Sequence, residues 1–352
     1  MKVKRVKEAL QAIKNGELII IMDDEDRENE GDLVYAGEFS TADKVNFLVS
    51  QARGVLCVSI TKEIADKLDF PLMVNNNNSN HETAFTISVD AKTAKTGVSA
   101  FERDMTIKLI CNKDSKPSDF ARPGHIFPLI AKNGGVLERT GHTEASVDIC
   151  KLAGLKPISV ICELMKDDGS MANNNDDFVI QFAKKHNLKI LYVSDLIYYR
   201  MQYEQLIQKI EEVEVVFFGI KCLKFVFLDH LKNKHIVYQF PIKNNIIKFH
   251  TFDNTLRLLE NNEFEVLQQS IEYLKNNGGY LICMNGNKNE RELESKNFGV
   301  GAQIIRYFKI SEFTLLSTHA NRHYVGLSGF NLKINVIDIF NKNHKKRLKK
   351  ID

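Results

Sequence analysis

The sequence predicts an α/β protein: a layered α+β sandwich built on a mixed sheet, followed by a second α+β domain. Short apolar runs alternate with amphipathic segments through residues 1–202, which favours strands alternating with helices. Most prolines and glycines precede residue 200, and the chain then becomes rich in Asn, Lys and Phe. A length of 352 residues also fits two domains. We therefore expect domains at 1–202 and 203–340 and a basic tail at 341–352.

Local patterns place the elements of the first domain in order. Apolar residues recur at helical spacing from Val3 to Ile13, and Asn15-Gly16 supplies a stop, so a surface helix opens the fold. Runs rich in β-branched residues then alternate with amphipathic segments. The predicted strands are 17–22, 54–60, 84–90 and 189–197, and the predicted helices are 41–52 and 141–154.

The second domain is predicted to be a strand meander followed by a helix. Residues 213–240 alternate between apolar and polar side chains, which is typical of antiparallel strands. Residues 264–279 have an amphipathic pattern that ends in two glycines, which predicts a helix.

The bulk composition excludes several classes of protein. A formal net charge of +3 is too small for this length to indicate nucleic-acid binding, and we interpret the basic tail as a solvated end. No apolar run approaches the roughly 18 residues of a membrane span, and the basic N-terminus has no signal-peptide pattern. The six cysteines are scattered, which argues against a disulfide framework. We expect a cytoplasmic protein with free thiols that binds neither nucleic acid nor membrane.

An acidic loop follows the first predicted strand. Residues 22–32 pack carboxylates from Asp23 to Asp32 around a single arginine, Arg27. Such a run is commonly a solvated turn. However, Gly31 marks a tight backbone position, and the strand delivers the loop to a sheet end, where ligands bind. Crowded carboxylates favour a hard divalent cation and a guanidinium suits a phosphate, so the loop is a candidate ligand site.

Residues 121–148 carry a second cluster. His125 lies among prolines and glycines, and His142 lies within the run Arg-Thr-Gly-His-Thr-Glu at 139–144. This run stands where a helix should begin, so free backbone N–H groups, a hydroxyl, a guanidinium and an imidazole converge. That combination predicts a phosphate or metal site.

A simpler alternative makes this segment only a helix start. Thr140 or Thr143 would be the N-cap, Glu144 would lie in the first turn, and His142 would be incidental. This alternative explains neither the Arg-Thr-Gly-His run nor the position of His125 between prolines and glycines. We therefore favour a functional site.

Glu163 interrupts an apolar strand pattern at 160–164. It is either an edge-strand residue that faces water or a desolvated carboxylate that transfers protons. The strand pattern alone leaves both interpretations open.

Together these motifs resemble 3,4-dihydroxy-2-butanone 4-phosphate synthase, an enzyme family of riboflavin biosynthesis. The resemblance runs from the first helix to about residue 197 and keeps the motifs in order. It implies a metal-dependent lyase that converts the sugar phosphate D-ribulose 5-phosphate to L-3,4-dihydroxy-2-butanone 4-phosphate and formate, and that works as a homodimer. The matching motifs lie at 23–32, 96–107, 116–148 and 162–172.

The resemblance also implies roles for individual residues. Glu28 and His142 would hold Mg²⁺ or Mn²⁺. His125 and Glu163 match positions that the family needs for catalysis. The residues expected to contact the sugar phosphate are Arg27, Glu28, Asp32, Arg139, Thr140, Gly141, His142, Thr143 and Glu163. Further positions expected to line the site are Asp23, Cys57, Thr96 and Glu144.

Two departures from the family pattern occur in this half. An asparagine-rich loop at 75–85 replaces shorter polar variants, and Glu102 stands where aspartate is common. We expect neither to touch the proposed metal ligands.

The second half resembles GTP cyclohydrolase II, a domain often fused to this synthase, at 298–334 and in the meander at 213–240. That family holds zinc through three cysteines, whereas this chain has no cysteine between Cys222 and Cys283. The arginine- and glycine-rich nucleotide stretch is out of place at 285–297. We therefore expect a degenerate domain with no zinc and no cyclohydrolase activity.

Three hypotheses follow for the whole chain. The leading one is a synthase whose second domain serves dimerisation or docks a partner. A bifunctional enzyme would need replacement zinc ligands such as His230, His235 or His250, although scattered histidines are more often core or surface residues. A catalytically inactive scaffold is the third, and the complete motif set from Arg27 to Glu163 argues against it.

Overall fold

The computed structural model describes residues 1–24, 27–174, 176–242, 244–252, 263–285, 300–317, 332–338 and 349–350. The chain forms two compact units, Met1–Arg200 and Met201–Asp352. Most of the predicted basic tail, at 341–348 and 351–352, lies outside the described residues. Every helix in the described ranges is too short or too polar to cross a membrane.

Strands and helices alternate along the first unit. Its strands are β1 (Ile19–Met22), β2 (Gly31–Ala36), β3 (Cys57–Ile60), β4 (Val89–Ala91), β5 (Phe120–Ile130), β6 (Ser159–Glu163) and β7 (Lys189–Tyr192). Its helices are α1 (Lys2–Lys14), α2 (Ala42–Phe47), α3 (Lys62–Leu68), α4 (Ala100–Cys111), α5 (His142–Leu152), α6 (Asp177–His186) and α7 (Val193–Tyr203), the last of which runs into the second unit.

The strands of the first unit form one mixed sheet, which has seven strands among the described residues, in the order β4-β5-β3-β6-β2-β1-β7. β1 pairs with β7 and β3 pairs with β5 in parallel, whereas the other neighbours are antiparallel. Every residue of β1 and β2 is buried, so both faces of the sheet are covered there. The predicted mixed-sheet sandwich is confirmed.

The two faces of the sheet pack against different helices. On one face, residues such as Leu33 and Val160 share a core with α2, α3, α4 and α6. Because side chains alternate along a strand, Asp32, Cys57 and Glu163 point to the opposite face. Helix α5 packs against β2, β3 and β6. The polar residues of these strands therefore lie on the side of the sheet that does not carry the α2, α3, α4 and α6 core.

The strand predicted at 84–90 is shorter than expected. The strand is confined to Val89–Ala91, and its register on β5 shifts between Val89 and Asp90, while Thr86 and Phe85 form single bridges with Leu72 and Leu129. Consecutive residues with different partners cannot build a ladder, so this stretch is mostly irregular.

The strand predicted at 189–197 was wrong in its second half. It ends at Tyr192, and helix α7 begins at Val193. Buried Asp195 accepts hydrogen bonds from the Arg5 guanidinium of α1 at 2.6 and 2.9 Å. This contact between distant positions supports the helical turn.

The second unit contains the predicted meander and helix around another mixed sheet. Its strands are β8 (Ile207–Phe217), β9 (Ile220–Asp229), β10 (Lys234–Gln239), β11 (Ile246–Phe252), β12 (Tyr280–Asn285), β13 (Glu312–Ser317), β14 (Lys333–Asp338) and β15 (Lys349–Lys350). Within the described ranges they follow the order β15-β14-β13-β11-β12-β10-β9-β8. Helix α8 (Glu263–Asn277) shares one core with the sheet, and helix α9 (300–307) shares a second.

Candidate active site and metal centre

The acidic loop connects the antiparallel strands β1 and β2, whose last and first residues, Met22 and Gly31, pair directly. Asp23 organises the loop from inside, since it is fully buried and accepts backbone N–H groups. Its carboxylate oxygens accept the Glu30 amide at 2.9 Å and the Glu28 amide at 3.2 Å. A buried carboxylate bonded to backbone amides fixes the path of the chain around it.

Arg27 joins two carboxylates of this loop. Its Nη1 atom donates to Asp23 Oδ2 and to Glu28 Oε2, both at 2.7 Å. The side chain is only 10% exposed. The guanidinium therefore offsets the repulsion between these carboxylates in addition to any contact with a substrate.

His142 is the first residue of α5 and reaches the acidic loop. Its Nδ1 atom lies 3.5 Å from Glu28 Oε2 and 4.0 Å from Asp32 Oδ1, and its Nε2 atom lies 3.2 Å from the carbonyl oxygen of Glu30. Ligand atoms of Asp23, Glu28 and His142 all lie within 4.8 Å of one another. The structure thus brings the early acidic turn and the later imidazole together.

The N-terminus of α5 does not use a threonine cap. Its N-cap residue is Gly141, which has no side chain to bond the first amides. Thr140 and Thr143 are both buried, as is Glu144. The simpler interpretation of this segment as a threonine-capped helix start is therefore not what the fold adopts.

Charges in this group shift the pKa values of its members. Burial disfavours the Glu28 carboxylate, but His142 and Arg27 outweigh it and lower its pKa to about 2. Burial also disfavours a charged His142, yet the surrounding carboxylates of Asp32, Glu28 and Asp23 raise its pKa to about 9. The carboxyl pKa of Asp32 is raised, chiefly by burial, with His142 opposing the shift.

These residues fit a divalent cation. Two carboxylates and one imidazole supply the oxygen and nitrogen ligands that Mg²⁺ and Mn²⁺ accept. Asp32 Oδ1 is buried and accepts no hydrogen bond, although it lies 4.0 Å from His142 Nδ1. It is therefore a further oxygen that could face a cation bound by Asp23, Glu28 and His142. His142 in its protonated form supplies the positive charge that a bound cation would replace.

Glu163 is the last residue of β6, which is an internal strand of the sheet between β3 and β2. It pairs directly with Asp32 across β2 and β6, and its Oε2 atom accepts the backbone N–H of Val55 at 2.7 Å. The edge-strand interpretation was therefore wrong. Cys57 lies on the same face, and burial together with Glu163 and Asp32 raises the pKa of its thiol.

His125 and Thr96 belong to a second neighbourhood. The His125 Nδ1 atom lies 2.7 Å from Asp90 Oδ2, and its backbone amide donates to the same carboxylate at 2.9 Å. Gly97 has φ +80°, and a Cβ there would collide with the Asp90 carboxylate and the His125 ring. Thr96 donates its hydroxyl to Glu102 at 3.0 Å.

The sheet register relates the two neighbourhoods. Cys57 pairs with Phe127 on β5 and with Ile161 on β6. His125 and Glu163 each lie two residues from these partners of Cys57, so their side chains point to the same face of the sheet as Cys57.

Arg139 is held by the protein at every nitrogen of its guanidinium. It donates to Glu144 Oε2 at 2.6 Å, to the carbonyl oxygen of His81 at 2.9 and 3.1 Å, and to Thr83 Oγ1 at 2.8 Å. Arg139 therefore links helix α5 to the loop at 75–85.

Two residues of this neighbourhood gave no sequence signal. The His81 Nδ1 atom lies 4.0 Å from Glu28 Oε1, so the expectation that the loop at 75–85 stays away from the metal ligands was wrong. Asn174 donates its side-chain N–H to the Asp23 carbonyl at 2.6 Å. Both lie in asparagine-rich stretches, which the sequence presents as ordinary polar loops.

A largely buried carboxylate–imidazole group at a strand end of a mixed sheet, with a helix N-terminus beside it, is the arrangement expected of a metal-binding enzyme of the layered α/β class. The sequence profile of 3,4-dihydroxy-2-butanone 4-phosphate synthase matches residues 7–199. The 3,4-dihydroxy-2-butanone 4-phosphate synthase of Helicobacter hepaticus is 58% identical over 346 residues, which cover 94% of this chain and 98% of that protein. The chain belongs to the 3,4-dihydroxy-2-butanone 4-phosphate synthase family, whose members are metal-binding lyases of riboflavin biosynthesis.

Two of the solved structures that are similar to this chain cover different shares of it. RibBX, a two domain 3,4-dihydroxy-2-butanone 4-phosphate synthase from A. baumannii, has a TM-score of 0.80 and 35% identity, and the match covers 95% of this chain and 99% of that one. A 3,4-dihydroxy-2-butanone 4-phosphate synthase in complex with two magnesium ions has a TM-score of 0.53 and 38% identity, and the match covers 56% and 97%. The first similarity extends through both units.

The second unit is GTP cyclohydrolase II-like, since the profile of GTP cyclohydrolase II matches residues 255–337. Cys222 and Cys283 are both buried in the core that includes α8. Among the described residues, Asp23, Glu28 and His142 are the only group of three or more His, Cys, Asp or Glu side chains close enough to hold one metal ion.

Proposed function

We propose that this chain converts D-ribulose 5-phosphate to L-3,4-dihydroxy-2-butanone 4-phosphate and formate. The observation that carries the proposal is the approach of Glu28 Oε2 to His142 Nδ1 at 3.5 Å, with Asp23 beside them. A five-carbon sugar phosphate divides into a four-carbon ketone phosphate and formate without an external oxidant or reductant. The reaction therefore calls for proton transfer and charge stabilisation, which this group of residues offers.

Glu28 and His142 would hold Mg²⁺ or Mn²⁺, with Asp23 and Asp32 as neighbouring oxygen donors. When bound, the cation would polarise the substrate carbonyl and its adjacent hydroxyl. Arg27 holds the Asp23 and Glu28 carboxylates together, because its Nη1 atom lies 2.7 Å from an oxygen of each. This arrangement preorganises the site for the metal.

Glu163 is the residue we expect to take the carbon-bound proton next to the ketone. Its carboxylate is held by the Val55 amide at 2.7 Å and lies opposite Asp32, on the face of the sheet to which Asp32 also points. A fixed carboxylate within reach of a polarised carbonyl is suited to general base catalysis.

His125 is the second group that we expect to move protons. Asp90 lies 2.7 Å from Nδ1, which favours the tautomer with the proton on that nitrogen. The other ring nitrogen is then available to accept or return a proton. Its side chain points to the same face of the sheet as that of Glu163, which supports a shared substrate.

The phosphate group would bind at the N-terminus of α5. Backbone N–H groups from Gly141 to Thr143, the hydroxyls of Thr140 and Thr143, and the helix dipole favour an anion there. Arg139 would contribute through its position, because its guanidinium is already bonded to Glu144, His81 and Thr83. Thr96 would assist from the second neighbourhood.

We propose that the chain forms a homodimer. Val98, Phe101 and Met105 are exposed at and near the start of α4, and Phe101 is 76% exposed. Neighbouring exposed apolar side chains are a candidate contact surface. Sedimentation analysis of the unaltered chain and of Phe101→Glu tests this proposal. A dimer that becomes a monomer in the variant supports it. A monomeric unaltered chain would refute the dimer, and a variant that stays dimeric would refute this contact surface.

We infer that the second unit binds no zinc and has no cyclohydrolase activity, because its sequence lacks the expected cysteines. Dimerisation or docking of a partner would be its remaining role. Metal analysis of the purified chain and a GTP turnover assay test the inference. Stoichiometric zinc together with GTP turnover would make the chain bifunctional.

The test of the main function is formate release from ribulose 5-phosphate with Mg²⁺. We expect Glu28→Gln and His142→Asn to abolish release and to weaken Mg²⁺ binding. His235→Asn is the matched control for His142→Asn, because His235 is also a buried histidine but lies in the second unit beside Asp229. Release that survives both site substitutions would refute the assignment.

A further inference from the structure

The segment between β5 and α5 leads directly into the proposed phosphate site. It contains a short 3-10 turn, Gly135–Leu137, and is followed by Arg139 and Thr140. Its course decides where these two residues are delivered. The contacts that hold this segment therefore bear on substrate binding.

Two carboxylates of α5 accept hydrogen bonds from the backbone of this segment. Glu144 Oε1 accepts the backbone N–H of Lys132 at 3.0 Å, and Asp148 Oδ2 accepts that of Val136 at 2.8 Å. Residues four apart on a helix lie on one face, so the two carboxylates form a row under the segment. Both are buried, with exposures of 1% and 3%.

The segment fits closely over Asp148. Gly135 has φ +60°, and a Cβ at this position would overlap both oxygens of the Asp148 carboxylate. Only glycine adopts this conformation without strain and leaves room for the carboxylate. The close approach allows the adjacent Val136 amide to reach Asp148.

Arg200 completes this arrangement from α7. Its Nη1 atom donates to Asp148 Oδ2 at 2.6 Å and to the carbonyl oxygen of Gly134 at 2.9 Å. The side chain is 12% exposed. One guanidinium nitrogen therefore binds both the carboxylate and the backbone that the carboxylate holds.

We propose that Asp148 and Arg200 are positioning residues that fix the segment 132–139 and thereby place Arg139 and Thr140 for the sugar phosphate. The second half of this statement rests on the proposed function, whereas the first half does not. Both residues act through the segment and belong to neither the metal group nor the proton-transferring pair.

Loss of Arg200 would leave a buried carboxylate without its cation. Removing one member of a buried ion pair is costly, because the remaining charge stays out of water. Asp148 would then tend to take up a proton, which weakens its bond to the Val136 amide. The segment 132–139 would then leave its ordered conformation more often. Because only the ordered conformation places Arg139 and Thr140, the apparent affinity for the substrate would fall.

The test uses the full chain and the substitution Arg200→Gln. We expect backbone amides at 132–139 to exchange with solvent about tenfold faster, and KM for ribulose 5-phosphate to rise by about tenfold. We expect kcat to change by less than about threefold, because the metal group and Glu163 are untouched. Arg200→Lys keeps the charge and should give intermediate values, and it also serves if the glutamine variant does not fold.

Arg5→Gln is the matched control. Arg5 forms the same kind of ion pair with Asp195, a buried carboxylate on the same helix α7, but it joins α1. It should lower stability without changing exchange at 132–139 or KM. Equal exchange rates and KM in the Arg5 and Arg200 variants would overturn the proposal.

The two halves of the proposal separate in this experiment. If the unaltered chain releases no formate, the proposed function fails, and amide exchange alone then decides whether the pair holds the segment. If exchange rises in Arg200→Gln while KM stays unchanged in an active enzyme, the positioning role for substrate is refuted.

Discussion

Asp32 and Glu163 stand directly opposite each other on β2 and β6, so two carboxylates share one row of the sheet beside His142. Asp32 is buried, whereas Glu163 is only partly covered and is bonded to a backbone amide. Neighbouring carboxylates in different surroundings can take different roles. We therefore propose that Asp32 is an oxygen donor beside the metal and that Glu163 transfers protons.

Replacement of Glu163 should therefore separate catalysis from metal binding. Glu163→Gln keeps the acceptor for the Val55 amide but removes the base, so formate release should fall by about a hundredfold or more. Mg²⁺ affinity should change by less than about threefold, since Glu163 is not among the three grouped ligands. Steady-state kinetics and titration calorimetry measure the two effects, with the exposed Glu212→Gln as control. Equal loss of both properties would contradict the assignment.

Metal binding should release a proton. His142 has its pKa raised to about 9 by surrounding carboxylates, but a ligating imidazole must be neutral. Affinity for Mg²⁺ should therefore weaken as pH falls below about 9, by up to about tenfold per unit. Glu28, with a pKa of about 2, stays ionised and adds no dependence in this range. Calorimetry in two buffers of different ionisation enthalpy counts the protons, and a count of zero at pH 7 would disprove the linkage.

Buried and exposed ion pairs in the first unit should differ in their effect on stability. Glu144→Gln removes the partner of Arg139 in an almost fully buried pair, so the free energy of unfolding should fall by about 3 kcal/mol. Asp66→Asn breaks the exposed pair with Lys62 and should cost less than about 0.5 kcal/mol. Thermal unfolding followed by circular dichroism compares them, and similar shifts would count against the tie between α5 and the loop at 75–85.

Acidic pH should lower the stability of the second unit, because Asp229 becomes protonated. This buried carboxylate accepts the amides of Leu231 and Asn233 and faces His235. Burial favours its neutral form, but the hydrogen bonds with His235 and Asn233 outweigh burial and lower its pKa to about 2. A depressed pKa stabilises the fold above the unfolded value near 4, and this contribution is lost as pH falls from about 4 to 2. It amounts to about 2 kcal/mol at neutral pH.

The variant Asp229→Asn should therefore melt below the unaltered chain at pH 7, and the gap should narrow as pH falls towards 2. Melting curves at several pH values provide the measurement. A gap that stays constant with pH would show that the carboxylate charge is not what stabilises the β9–β10 turn.

The sequence predicted most strands and helices because their patterns are local. The amphipathic N-terminal segment became α1, and the alternating run at 213–240 became a meander. Periodicity and glycine stops depend on neighbouring residues alone, so such elements are accessible without a structure.

The errors occurred where distant contacts decide the outcome. The apolar run after Lys189 resembles a continuing strand, but Asp195 bonds to Arg5 and the chain turns into a helix. Similarly, His81 approaches Glu28 because Arg139 binds the His81 carbonyl. No pattern within either segment carries this information.

The placement of Glu163 illustrates the same limit. Its sequence context is equally typical of an edge strand and of a central one, and only the strand order shows β6 between β3 and β2. Strand order depends on pairing across the whole first unit. Glu28 and His142, in contrast, were recognisable from motifs, although the 3.5 Å between them was not.

The course of helix α7 affects where a fragment of the first unit can end. The family match ends at residue 199, one position before Arg200, and the helix continues to Tyr203. A fragment trimmed to the match would discard the guanidinium that neutralises Asp148 and would expose a cut helical end. Weak turnover by such a fragment would then reflect where it was cut rather than any contribution from the remainder of the chain.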